Sequence, residues 1–256
     1  MIPINIRMKI QNFFGFLGDF LKRRWRSLLL LVLGVGLPLI IAEILVVGIL
    51  HAPNMLSWDV PILLAVHAQS TPKLDHFVIW FTRLGTYYGV FPASFVVGVL
   101  LLVQQRWRML VFWLIALGGC AILNLSIKIL LHRARPDLWL SPAPEFDYGF
   151  PSGHAMSSMG FVVTLVVLTA GSRWQGAIAA LGGIFVLAIA WSRMYLGVHF
   201  PSDILAGWLI AIAWVMAVSL VIPPRPSSVS ATLDAEAIQS ASEPNLLGNN
   251  TQGQSE

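Results

Sequence analysis

Apolar residues in this chain are gathered into long blocks, several of which exceed the roughly 18 residues that mark a transmembrane helix. The blocks predict six spans, over about residues 27–50, 86–103, 109–131, 153–170, 174–196 and 201–221. Between the first two lies an irregular stretch, residues 51–83, with Pro53, Pro61, Pro72 and scattered charges, read as interfacial helices. A polar loop rich in Pro, Asp and aromatics follows the third span, over residues 132–150. The expected fold is all-α: a polytopic membrane protein of six transmembrane helices. Three parts are expected, namely a cytoplasmic N-terminal segment (1–26), the six-span membrane domain (27–222) and a disordered cytoplasmic tail (223–256). The tail is rich in Ser, Pro, Asn and Gln, and it has too little apolar content to fold alone.

Composition strengthens this picture. The 256 residues are 57% hydrophobic and 11% charged, with mean hydropathy +0.76, whereas a soluble domain carries about 25% charged residues. Water is not the main solvent of this chain. The single cysteine, Cys120, sits in an apolar run and reads as a small core hydrophobe. It leaves neither an internal disulfide nor a cysteine-built metal site. The basic cluster Lys22, Arg23, Arg24, Arg26 precedes a run too long for a cleaved signal peptide, so the first span is read as retained.

Charge placement gives an orientation. Lys22 to Arg26, Arg106, Arg108, Arg173 and Arg225 all fall on one side of a six-span chain, which makes both termini cytoplasmic. The opposite face nevertheless collects Lys128, His132, Arg133, Arg135, His154, Arg193 and His199. Cations gathered against the usual bias call for a functional explanation.

Three short segments carry that explanation. In Lys128-Ile-Leu-Leu-His-Arg-Ala-Arg135-Pro136, seven residues make nearly two helical turns, so Lys128 and Arg135 share a face. Pro136 ends the helix there. Arg grips phosphate bidentately and Lys acts as a point charge. Pro151-Ser152-Gly153-His154 opens the fourth span, where free N–H groups form an anion site. His154 stands at its edge, able to exchange a proton near neutral pH. In Ser192-Arg193-Met-Tyr-Leu-Gly-Val-His199-Phe-Pro-Ser-Asp203, the aspartate is close enough in sequence to orient one imidazole nitrogen and leave the other free to attack.

Lys-x6-Arg-Pro, Pro-Ser-Gly-His and Ser-Arg-x5-His-x3-Asp, in this order, resemble the signature of the type 2 phosphatidic acid phosphatase (PAP2) superfamily, which also includes soluble acid phosphatases and vanadium haloperoxidases. The resemblance spans roughly residues 63–221, with its motifs confined to residues 128–203, and no signature position departs from it. It implies a PAP2-type helical core and a metal-independent lipid phosphatase that needs no cofactor. His199 would attack phosphorus and form a phosphohistidine, with Asp203 orienting it. His154 would protonate the leaving oxygen and then activate water. Lys128, Arg135, Arg193, Ser152 and the Gly153 N–H would bind the phosphoryl oxygens. The chemistry agrees, since phosphoryl transfer needs mostly positioning and charge neutralisation. No acidic cluster with metal-ligand spacing accompanies the motifs.

The motifs read phosphate and not the tail it is attached to. Undecaprenyl diphosphate, phosphatidylglycerophosphate and phosphatidic acid are the candidate substrates, at the non-cytoplasmic face of a bacterial plasma membrane. The expected partners are this lipid phosphate and the bilayer, with no nucleic acid and no obligate protein partner. A phosphotransferase using the same intermediate with a non-water acceptor is the alternative. A channel or transporter is disfavoured because the charges gather at one face instead of spreading through the bilayer depth. His132 and Arg133 are read as solvated loop-edge residues, and His51, His67 and His76 as interfacial loop residues. Glu43, within the first span, either faces the site or a cation, or sits protonated against another helix. Asn124 either supports Lys128 or bonds another helix, and Trp139, Phe146, Tyr148 and Phe150 either line a lipid entrance or form an interfacial belt.

Overall fold

The structure, a computed structural model, describes residues 27–51 and 55–224, with Gly15, Leu21, Lys22, Arg24 and Trp25 ahead of them. Residues 225–256 and most of 1–26 lie outside the described residues, and so do Pro53, Arg23, Arg26 and Arg225, on which parts of the sequence reading rest. The described residues form helices and no strand. A π-helical stretch, Leu30–Gly36, leads into α1 (Leu37–His51). Then come α2 (Asp59–His67), α3 (Pro72–Thr82), α4 (Val90–Val103), α5 (Trp107–Leu131), α6 (Gly153–Leu168), α7 (Gln175–Tyr195) and α8 (Pro201–Val221).

Local chemistry explains where these helices begin and end. Pro72 is pre-set for a first helical turn, and the Thr71 hydroxyl caps α3 by accepting from the Leu74 N–H at 3.3 Å. Ser152 caps α6 in the same way. At the start of α8, Pro201 occupies the first turn and Asp203 reaches back to the Phe200 N–H at 2.8 Å. α5 stops at His132, which takes a left-handed conformation (φ 47°) and donates its N–H to the Lys128 carbonyl at 3.1 Å. His51, His67 and His76 stand on helices and not in loops, which corrects the sequence reading.

α6 is the centre of the assembly and packs against α5, α7 and α8. Phe112, Trp113, Ala116 and Cys120 of α5 meet Met156 of α6 and Ala211 and Val215 of α8 in the largest core cluster. The outward faces are apolar too: Phe95 is 73% exposed and Leu130 77%. Helices apolar all round belong in hydrocarbon. Five helical segments are long and apolar enough to cross a membrane, namely Ser27–His51, Pro72–Val103, Trp107–Leu131, Gln175–Tyr195 and Pro201–Val221.

Two predicted spans differ from expectation. α6 has 16 residues, about 24 Å of helix against a hydrocarbon core of about 30 Å. Its start is shielded by protein, with Ser152, Ala155 and Met156 buried, so it need not reach the lipid boundary. The second predicted span begins at Val90 instead of Thr86, because residues 83–89 turn through a short 3-10 segment and an open bend. That bend delivers Thr86 to the site. Glu43 is exposed on α1, so neither burial against another helix nor a place in the site accounts for it.

Candidate functional site

The site is assembled where the ends of α5, α6, α7 and α8 meet the loop 132–152. Lys128 comes from the last turn of α5 and Arg193 from the last turn of α7, and both are buried. Arg135 follows α5 in the loop. His199 lies between α7 and α8 and is 1% exposed. His154 occupies the first turn of α6. The motif residues that are remote in sequence are therefore neighbours in space.

Three of the cations converge on two loop carboxylates. Asp147 pairs with both Lys128 and Arg135. Glu145 pairs with Arg193 and, at 2.7 Å, with Arg135. Both carboxylates lie in the polar loop, and the sequence alone assigns them no role. Burial alone would push the Asp147 carboxyl up, but hydrogen bonds and charge from Lys128 and Arg135 outweigh it and hold the group below the usual carboxylate range.

The His199 ring is held from both sides. Arg135 Nη1 is 3.0 Å from Nε2 and also donates to the Val198 carbonyl at 2.7 Å. A guanidinium can only donate, so Nε2 presents a lone pair and Nδ1 carries the proton. Nδ1 faces Asp203 Oδ2 at 3.5 Å, close but without an aligned hydrogen bond. Burial first, then the charges of Arg135, Arg193 and Lys128, keep the His199 pKa well below the ordinary value of 6.5. The ring is neutral at physiological pH, with its free nitrogen turned toward the cations.

His154 Nε2 lies 3.2 Å from the Thr86 hydroxyl. The same bend is tied to α6 a second time, since Ser157 Oγ donates to the Gly85 carbonyl at 2.8 Å. The Ser152 hydroxyl is buried and caps α6, and its N–H donates to the Asp203 carbonyl at 3.1 Å. Gly207 of α8 permits this approach, because a Cβ there would meet the Ser152 carbonyl at 3.0 Å. Gly197 takes φ +68° in the turn before His199, under the Trp139 ring.

The remaining residues agree with their readings in some cases and depart from them in others. Arg133 is 2% exposed and not solvated. It pairs with Asp203 and, at 2.9 Å, with Asp59 of α2, so buried carboxylates draw it inward. His132 is exposed and meets the Tyr148 ring edge-on. Asn124 donates to the Pro151 carbonyl at 3.1 Å, which ties α5 to the α6 entrance. Phe150 is core and Trp139 stacks on His67 at 3.8 Å, whereas Phe146, almost wholly exposed, lines the cavity of the site, in keeping with the entrance reading.

A cavity of about 680 Å³ runs from these groups into the helices. Its lining includes Lys128, Glu145, Asp147, His154 and His199 together with Val90, Phe91, Leu117 and Ala121 of α4 and α5.

A family model described as the PAP2 superfamily matches residues 107–227, which contain all of the motif residues. Over those residues the chain is similar to the PAP2 superfamily. The chain is 27% identical over 199 residues to an undecaprenyl-diphosphatase of Sulfolobus acidocaldarius, covering 75% of this chain and 87% of that protein. It is 26% identical over 172 residues to phosphatidylglycerophosphatase B of Bacillus subtilis, covering 64% and 82%. A solved PAP2-type phosphatidylglycerolphosphate phosphatase from Bacillus subtilis superposes with TM-score 0.66 at 25% identity, over 75% of this chain and 96% of that one. With its apolar helices, the chain resembles the membrane phosphatases of the PAP2 type.

Proposed function

We propose that the protein hydrolyses a phosphate monoester or diphosphate headgroup of a long-chain lipid at the non-cytoplasmic face, with both termini cytoplasmic, through a phosphohistidine on His199. The observation that carries this reading is the convergence of Lys128, Arg135 and Arg193 on Glu145 and Asp147 beside the His199 Nε2 lone pair, where Lys128, both carboxylates and His199 line a cavity that apolar side chains also line. Phosphoryl oxygens would take the places that Glu145 and Asp147 fill, gripped by the same three cations and by the Gly153 N–H at the start of α6.

In the first step the His199 Nε2 lone pair attacks phosphorus, and the bond from phosphorus to the lipid-side oxygen breaks. His154, protonated, gives its proton to that oxygen. In the second step His154 takes a proton from water, the resulting hydroxide attacks phosphorus, and the P–N bond breaks to release phosphate. Asp203 faces Nδ1–H and stabilises the positive ring of the intermediate. The three side-chain cations neutralise the charge that spreads over the transferred group, a task that other phosphoryl-transfer sites give to magnesium.

Undecaprenyl diphosphate, phosphatidylglycerophosphate and phosphatidic acid are the substrates we would try first, since the relatives named above act on headgroups of this kind. Purified protein in detergent should release phosphate from at least one of them in excess EDTA, with inhibition by vanadate. Release that disappears on chelation would end the metal-independent reading. Transfer to an added hydroxyl acceptor in place of water would reclassify the enzyme as a phosphotransferase.

A further inference from the structure

Arg133 occupies an unspecified position of Lys-x6-Arg-Pro, two residues from Arg135. Its guanidinium joins two carboxylates and a hydroxyl. Nη1 pairs with Asp203 and donates to Ser202 Oγ at 2.8 Å, while Nη2 donates to Asp59 Oδ2 at 2.9 Å. Asp59 is fully buried. It accepts from the Ser202 N–H at 3.0 Å, the Ser202 hydroxyl at 2.6 Å and the Leu56 N–H at 3.1 Å. The guanidinium also lies 4.7 Å from the centre of the Phe200 ring. Asp203 Oδ1 is thus held by Arg133, and Oδ2 accepts from the Phe200 N–H while facing His199 Nδ1. A continuous chain of charges, Asp59, Arg133, Asp203, His199, links the start of α2 to the ring.

From this geometry we infer that Arg133 and Asp59 are positioning residues for the phosphoryl transfer proposed above, holding Asp203 and, through it, the direction and basicity of the His199 ring. The inference rests on that reading for its activity readout. A guanidinium shared between two carboxylates leaves Asp203 only part of its charge to exert on His199. Removing the Arg133 charge gives Asp203 its full field and makes His199 more basic. Removing the Asp59 charge gives Arg133 wholly to Asp203 and makes His199 less basic. A purely structural role predicts no such opposition. The other groups facing His199 are Arg135, Arg193, Lys128, His154 and Glu145. They are the same in every variant, so differences between variants report on the network.

The test uses full-length protein in detergent with a lipid phosphate that the wild type hydrolyses. Asp59→Asn and Arg133→Gln should each lower kcat about 10- to 100-fold, the range typical of groups that orient a reacting ligand, with KM within about twofold, the mark of an interaction realised in the transition state. The acid limb of the kcat profile should move down in Asp59→Asn and up in Arg133→Gln, each by about half a unit or more. Arg133→Lys, which keeps the charge, should return the limb to its wild-type position. Titration of ring nitrogens by NMR, with His199 assigned by difference from His199→Ala, reads the same shifts without turnover. Limbs that stay put, or move together, in folded variants overturn the inference. If Arg133→Gln does not fold, Asp59→Asn and Arg133→Lys decide it by the same criteria. A wild type inactive on every lipid phosphate would instead sink the proposed function, and the NMR titration would still decide this point.

Discussion

Arg133 and Arg135 are two residues apart, each bound to two carboxylates, yet their surroundings differ. The Arg133 side chain is 1% exposed, and the partners it holds, Asp59 and Asp203, are fully buried. Arg135 is paired with Glu145 and Asp147, which are 29% and 58% exposed. Buried carboxylates cannot leave without exposing an uncompensated charge to a low-dielectric interior, whereas exposed ones exchange for water or another anion at little cost. The difference teaches that the same side chain is locked into the framework at one position and held by exchangeable partners at the other, which suits the anion grip proposed for Arg135.

Four measurements break or sharpen this contrast. His199→Ala should abolish phosphate release, by about 10⁴-fold or more if the ring is the nucleophile, with the thermal midpoint in detergent little changed. Arg133→Met should act on the fold, because it strands two buried carboxylates, at a cost of about 3–5 kcal/mol read as a lowered midpoint. Arg135→Ala should do the reverse, with kcat/KM down about 10²- to 10³-fold and the midpoint held. If both arginine variants lost stability equally, the division between framework and grip would be wrong. Asp147→Asn should change stability least, by about 1 kcal/mol or less, and should tighten inhibition by inorganic phosphate or vanadate up to about fivefold as a competing anion is withdrawn.

A pH series adds a fifth check. Because the His199 pKa is held below its ordinary value, the competent neutral ring persists under mildly acidic conditions. Activity should therefore hold through pH 6.5 and decline only further down, and an acid limb at or above pH 6.5 would contradict this. For stability the sign is the same. The unfolded chain takes up the proton first, so the contribution of His199 is complete above about pH 6.5 and is lost as pH falls below that.

The spans and the motifs were legible because they are local: long apolar runs, a proline that ends a helix, a Pro-Ser-Gly-His that starts one. What escaped was set by contacts across the fold. Nothing near Arg133 shows that its partners are Asp59, some seventy residues earlier, and Asp203, as many later. An acidic residue at the head of an otherwise apolar segment, Asp59-Val-Pro-Ile-Leu-Leu, was the available hint of a buried role. Glu145 and Asp147 gave no local signal either, since a loop carboxylate is usually solvated. Thr86 was placed inside a span, although Gly85 and Gly89 on either side mark the bend that carries it to His154.

The direct main-chain link between Ser152 and Asp203, with Gly207 pressed beneath it, means that the helix bearing one imidazole and the helix following the other are joined without any rotatable side chain. The backbones that carry the two rings are thereby tied together away from the outer surface. Bilayers of different thickness or composition, and lipid tails of different bulk, can press on the exterior of this protein while the backbone that carries His154 stays tied to the backbone that follows His199.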